Sequence, residues 1–325
     1  MLNFKNIQIK NISFIYGIKS KINFKLFITL ICLVFLGSSI YGNFEALAKQ
    51  AISRREILWL SMGIIFSFLS IIINAFAWKL LISSIGCSGS KLNIIKIFIS
   101  TNIYKYLPGG IWHFVSRYNT LRVKFPIDKS VESILLEPLL MLVAGLIFVP
   151  FGNLNIFIYI FCWSSTLVFL IRFREFIISK LRALKSTIFT NNDNINDRYI
   201  VINNENITTK VSYPYKALIV EIVFILFRFF GFLCCINAFS IGSLISQAEL
   251  ISAFSFAWII GLIVPAAPGG LGVFESVILF GLGSQLPEAP LLASLLCYRL
   301  VSTVSDIFTA LIYPIKRLFK LNNLY

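Results

Sequence analysis

Glu275 places a carboxylate in an apolar stretch, Val264–Ser276 (VPAAPGGLGVFES), that also holds two prolines and three glycines. Prolines and glycines at that density stop a continuous helix. Backbone broken at membrane depth is tolerated only where it is buried in protein or lines a wet cavity. This stretch is therefore a candidate site. A second break, Leu107–Ser116, resembles it. Pro108-Gly109-Gly110-Ile111-Trp112-His113-Phe114-Val115-Ser116 aligns without gaps to Pro268-Gly269-Gly270-Leu271-Gly272-Val273-Phe274-Glu275-Ser276, with Pro, Gly, Gly, Phe and Ser identical.

Charges follow both breaks. Arg117 comes after the first, with Glu132 and Glu137 in the next apolar segment; Glu275 comes after the second, with Arg299 in the next. An unpaired charge at the bilayer centre costs at least ~2.5–3.5 kcal/mol, so each needs a partner or water. The expected pairs are Glu275 with Arg299 and Arg117 with Glu137. The alternative for Arg117 and Glu132 is that they sit at the interface and only snorkel. Glu221 and Arg228, seven apart on one helix face, either join the same polar cluster or bridge separately. Asp306 is a further ionisable group within a span.

The surrounding composition dictates the elements. The chain of 325 residues is 58% hydrophobic and only 13% charged. Its mean hydropathy is +0.85. Several apolar runs exceed the roughly 18 residues that mark a membrane-crossing helix. The expected fold is an all-α polytopic membrane bundle: about six full spans plus two helix–break–helix re-entrant hairpins in an inverted repeat. A basic N-terminus, residues 1–25, precedes one transmembrane domain, 26–320. Its halves, 57–171 and 215–313, are joined by a cytoplasmic loop, 172–214. Within that loop, Arg172–Lys185 has the pattern of a helix lying on the membrane surface. Trp78 and Lys79, near the end of the span Ile57–Ser84, suit a membrane interface.

A net charge of +15, from 29 basic and 14 acidic residues, could point to nucleic acid. The basic residues instead flank apolar runs, as the positive-inside bias requires, so no nucleic-acid partner is expected. With the N-terminus inside, the basic segments at 1–25, 117–129, 172–216 and the C-terminus all fall on one side. The opposite loops near Gly152, Ile241–Gln247 and Gly283–Glu288 have no Lys or Arg. Both termini are thus expected in the cytoplasm, in the cell (plasma or inner) membrane. Eight crossings, with each hairpin read as two short spans, give the same parity. Six cysteines without a CxxC pair and a single histidine, His113, imply no disulfide framework, no metal site and no cofactor.

Helix N-termini after the Pro-Gly-Gly breaks offer unpaired N–H donors that favour anions. With Arg117, Arg228 or Arg299 they suit an anionic lipid headgroup. The expected lipid-binding residues are Pro108, Gly109, Gly110, Arg117, Glu137, Pro268, Gly269, Gly270, Glu275 and Arg299. Two other functions fit the composition. One is a membrane enzyme using Glu275 or Glu137 as base with His113 as accessory. The other is a scaffold for envelope biosynthesis built on Arg172–Lys185.

Pro265–Glu275, followed by Tyr298 and Arg299, resembles the lysylphosphatidylglycerol synthase transmembrane region family of flippase-like membrane proteins. Lys105–Gly110 with Trp112 is similar to that family's earlier glycine-rich element. The resemblance runs from about Leu26 to Lys320. It implies a membrane part that moves lipids or lipid-linked envelope precursors, here expected without the soluble aminoacyl-transferring domain some members carry. Membrane lipids with anionic headgroups are the implied partners, along with envelope-biosynthesis enzymes.

Overall fold

The structure is a computed structural model that describes residues 41, 54–87, 92–107, 111–152, 157, 160, 162–164, 214–264 and 272–312. The described residues form helices and their connections. In chain order these are α1 (Arg54–Ser84), α2 (Ile94–Asn102), α3 (Trp112–Leu121), α4 (Ile127–Leu146), α5 (Tyr215–Ala238), α6 (Gln247–Ile263), α7 (Val273–Leu282) and α8 (Glu288–Ile312). Short 3-10 turns, Ile103–Tyr106 and Val149–Phe151, extend α2 and follow α4. The central residues of both breaks, 108–110 and 265–271, and the expected surface helix Arg172–Lys185 lie outside the described residues.

Among the described residues, four helices are long and apolar enough to cross a membrane: α1, α4 with its following 3-10 turn, α5 and α8. The helices flanking the breaks are not. At 1.5 Å per residue, the ten residues of α3 and of α7 reach about 15 Å, half a bilayer core of about 30 Å. Local signals set their ends. The Asn93 side chain accepts from Lys96 N–H at 3.1 Å and Ser246 from Glu249 N–H at 3.1 Å, satisfying donors at the starts of α2 and α6. Pro126, Pro214 and Pro287 precede α4, α5 and α8, where a missing N–H is harmless. The chain is an all-α polytopic membrane protein.

Helix pairings within the bundle follow one rule. α4 packs on α5 as α8 packs on α1, and α4 on α6 as α8 on α2. α3 meets α2 and α4 as α7 meets α6 and α8. Exchanging α1–α4 with α5–α8 leaves the set of pairings unchanged, with α1 against α5 at its centre. That central crossing is close because its residues are small. A Cβ on Gly231 would stand 2.6 Å from Ser67 Oγ and 3.4 Å from the Gly63 carbonyl; one on Gly63 would stand 3.3 Å from the Gly231 carbonyl. Gly63→Leu is expected to push the helices apart and destabilise the fold by about 1–3 kcal/mol, the usual penalty of overpacking. Thermal unfolding in detergent checks this, and an unchanged midpoint would refute the close crossing.

One expectation is overturned here. Trp78 is not an interface anchor: it is 0% exposed and packs on Phe98, ring centroids 5.7 Å apart. Lys79, its neighbour, is exposed. The apolar ring faces inward because α2 packs over this end of α1 and Arg117 of α3 lies over the ring, tertiary contacts that no local pattern encodes.

Candidate functional site

Both expected ion pairs are present, each joining a short helix after a break to the long helix that follows. Arg117 on α3 donates from Nη1 to both oxygens of Glu137 on α4, at 2.6 and 2.7 Å, and from Nε to Thr101 Oγ1 at 3.2 Å. Its guanidinium lies 3.8 Å from the Phe98 ring centroid and 5.2 Å from that of Trp78. At 1% exposure this arginine is fully inside the bundle, which excludes snorkelling. Glu132 is also buried and pairs with Lys129 at 3.2 Å.

On the other side, Arg299 of α8 donates from Nε to Glu275 Oε1 and from Nη2 to Oε2, the latter at 3.2 Å. Glu275 also accepts from the Gly272 N–H at 2.9 Å, so the carboxylate caps its own helix. Gly272 sits at φ 87°, a left-handed conformation that glycine alone adopts freely. One N–H donor of this helix start is therefore already occupied by protein.

The flanking aromatics hold this pair in place. Phe274 and Tyr298, the residues just before Glu275 and Arg299, pack on each other with centroids 5.6 Å apart. Both also touch Phe232 and Phe254, so four rings join α5, α6, α7 and α8. Glu275 and Arg299 are fixed by this cluster because each is one residue along a helix from a locked ring.

A third polar cluster crosses between the halves. Asp306 on α8 accepts from Asn102 Nδ2 at 2.7 Å, from Tyr106 Oη at 2.6 Å and from Lys105 Nζ at 2.8 and 2.9 Å. Those three donors sit on the end of α2 and the 3-10 turn leading into the first break. Sequence reading placed Asp306 in a span but did not connect it to Lys105. The available signal was the general one, that a carboxylate inside a span needs a partner.

These clusters surround one cavity of about 250 Å³, to which each of α1–α8 contributes. Arg117, Glu137 and Arg299 of the expected site line it, as do Lys105, Arg228 and Asp306. First-turn residues of both post-break helices, His113 and Phe274, also reach it. Glu275 stands behind Arg299, outside the lining. Pro108, Gly109, Gly110, Pro268, Gly269 and Gly270 fall outside the described residues. Glu221 and Arg228 part company: Arg228 faces the cavity, whereas Glu221 does not line it.

A sequence model of one family, the lysylphosphatidylglycerol synthase TM region, matches residues 22–309. The chain belongs to that family. No individual curated protein matches it. The matched region of this family member includes all three polar clusters and the whole cavity lining, from Ile71 to Asp306. As an integral membrane protein of the lysylphosphatidylglycerol synthase TM region family, it has a membrane lipid-related role.

Proposed function

We propose that the protein is a lipid flippase or transporter, moving an anionic lipid or lipid-linked envelope precursor across the bilayer. The observation that carries this reading is the cavity shared by both sets of helices and walled by Lys105, Arg117, Arg228 and Arg299. Charged side chains inside membrane helices line pathways more often than they serve stability, since burying them opposes folding. A headgroup between the two breaks, with tails left in the bilayer, uses those charges.

The interchangeable helix pairings support an inverted repeat. In such a protein, one half rocks against the other around a fixed central site. Re-entrant helices on either side of each break fit the short lengths of α2, α3, α6 and α7. The basic segments favour cytoplasmic termini in the cell membrane. The Asp306 cluster, bonded from one half to the other, would have to open during such rocking.

Full-length protein reconstituted into vesicles, with labelled anionic phospholipid followed between leaflets, tests this. Protein-dependent movement is expected. Glu275→Gln and Arg299→Ala are each expected to slow it about tenfold or more, since a lost pair contact is worth over ~1.4 kcal/mol. A Glu275→Arg/Arg299→Glu exchange that folds controls for loss of structure. Movement no faster than in protein-free vesicles, across the anionic lipids tried, would refute the proposal. Conversion of the probe to a new lipid would establish an enzyme instead.

A further inference from the structure

Among the described residues, one buried carboxylate has no cation. Glu132, Glu137, Glu275 and Asp306 are each held by a lysine or an arginine. Glu221 on α5 is 1% exposed, and its Oε2 accepts no hydrogen bond. Ile225, one turn on along the same face of α5, is fully buried and would lie 3.7 Å from a Cβ on Gly145 of α4. Glu221 therefore points into the seam between α5 and α4. The charges that act on it there are the Glu137 carboxylate and the Arg117 guanidinium bound to it.

The other helices packed on α5 bring Glu221 no free charge. α1 and α5 run antiparallel, Gly63 meeting Cys234 and Phe66 meeting Phe227, which sets the neutral Asn74 level with Glu221. Lys79 of α1 and Lys216 of α5 are exposed. Phe254 of α6 packs on Phe232 and Trp258 on Phe224, so Glu249, at the start of α6, lies toward the other end of α5. Asp306 of α8 is held by Lys105. Arg228, two turns on from Glu221 and so about 10 Å along the axis, turns to the cavity.

Two carboxylates thus face one arginine, and Arg117 already gives its Nη1 to both oxygens of Glu137. A buried carboxylate without a cation or donors is so unfavourable that it takes up a proton instead. We propose that Glu221 is a proton-binding site, and that its proton is taken up and released as the two halves rock, coupling lipid movement to a proton gradient. This rests on the transporter reading and supplies its driving ion. The proton adds to a carboxylate oxygen from water and returns to water; nothing is oxidised or reduced. With the proton bound, Arg117 belongs to Glu137 alone, the arrangement seen here. With it released, two anions compete for Arg117, which draws α3 and α4 toward α5. Arg117 and Glu137 line the cavity, and Arg117 sits on the short helix after the first break, so the proton on Glu221 is felt where the substrate is held. Ionisable side chains within membrane helices recur as proton relays in pumps and transporters for this reason.

Infrared spectra of the full-length protein in an ester-free detergent test the proton directly. At neutral pH the parent is expected to show the carbonyl stretch of a protonated carboxyl, and Glu221→Gln is expected to lose it. The amide has the shape and neutrality of the protonated acid, so this variant is expected to unfold no earlier than the parent. In vesicles at zero membrane potential, a gradient of about one pH unit is expected to drive a labelled anionic phospholipid to a leaflet ratio up to about tenfold beyond that of protein-free vesicles, the limit for one proton per lipid. Glu221→Gln is expected to show no such excess. A parent without the band, a variant that keeps it, or a variant that unfolds earlier overturns the proton site. A leaflet ratio indifferent to the pH gradient, or one that answers a sodium gradient instead, overturns the coupling. The transporter reading is judged separately. A parent that moves no lipid refutes transport, whereas a band that depends on Glu221 still upholds the proton site.

Discussion

Glu137→Gln is expected to destabilise the protein by about 3–5 kcal/mol, the typical result of removing one partner from a buried ion pair. Arg117 is 1% exposed and donates to both carboxylate oxygens of Glu137. The amide keeps the shape but leaves the guanidinium with Thr101, Phe98 and Trp78, none of which carries a charge. Stacking on rings offsets only ~1–2 kcal/mol of that. Thermal unfolding in detergent should show a midpoint lower by on the order of 10 °C. The double variant Arg117→Met/Glu137→Met should recover much of the loss, because both charges leave together. If the single variant is as stable as the parent, the pair does not hold α3 on α4.

Asp306→Asn is expected to move stability and anion binding in opposite directions. The side chain keeps its size but loses the charge that Lys105, Asn102 and Tyr106 address. Charge-assisted hydrogen bonds are each worth about 1.5–3 kcal/mol and do not add fully. Lys105 is partly exposed, which screens its share. A net loss of about 2–3 kcal/mol follows. At the same time Lys105, which lines the cavity, loses its carboxylate partner. With one negative charge fewer in its wall, the cavity should bind a labelled anionic phospholipid roughly tenfold tighter, a gain of ~1.4 kcal/mol. Unfolding midpoints with and without lipid measure both effects. Weaker binding in this variant would mean that Asp306 orders the site more than it opposes the anion.

Much of the bundle was legible in the sequence because a membrane leaves the chain few choices. Continuous apolar runs become helices, and Pro-Gly clusters end them, since no water is available to take an unpaired amide. The ends of α1, α5, α6 and α8 accordingly lie within a few residues of the apolar runs that announce them. Arg117–Glu137 and Glu275–Arg299 were legible for a related reason. Each charge had opposite charge on the next long helix, and burial without it is unfavourable.

What the tertiary structure alone decided is which long-range neighbours meet. Lys105 and Asp306 are 201 residues apart and on different elements, so no spacing rule joins them. Trp78 reads as an interface residue until α2 and α3 are seen to cover it. Arg228 and Glu221 share a face of α5 at helical spacing, yet only Arg228 turns its charge to the cavity. The break Val264–Ser276, where the sequence concentrates its unusual residues, supplies Glu275 as the support for Arg299. The cavity beside it belongs to all eight helices, because a space is bounded by surfaces that only packing brings together.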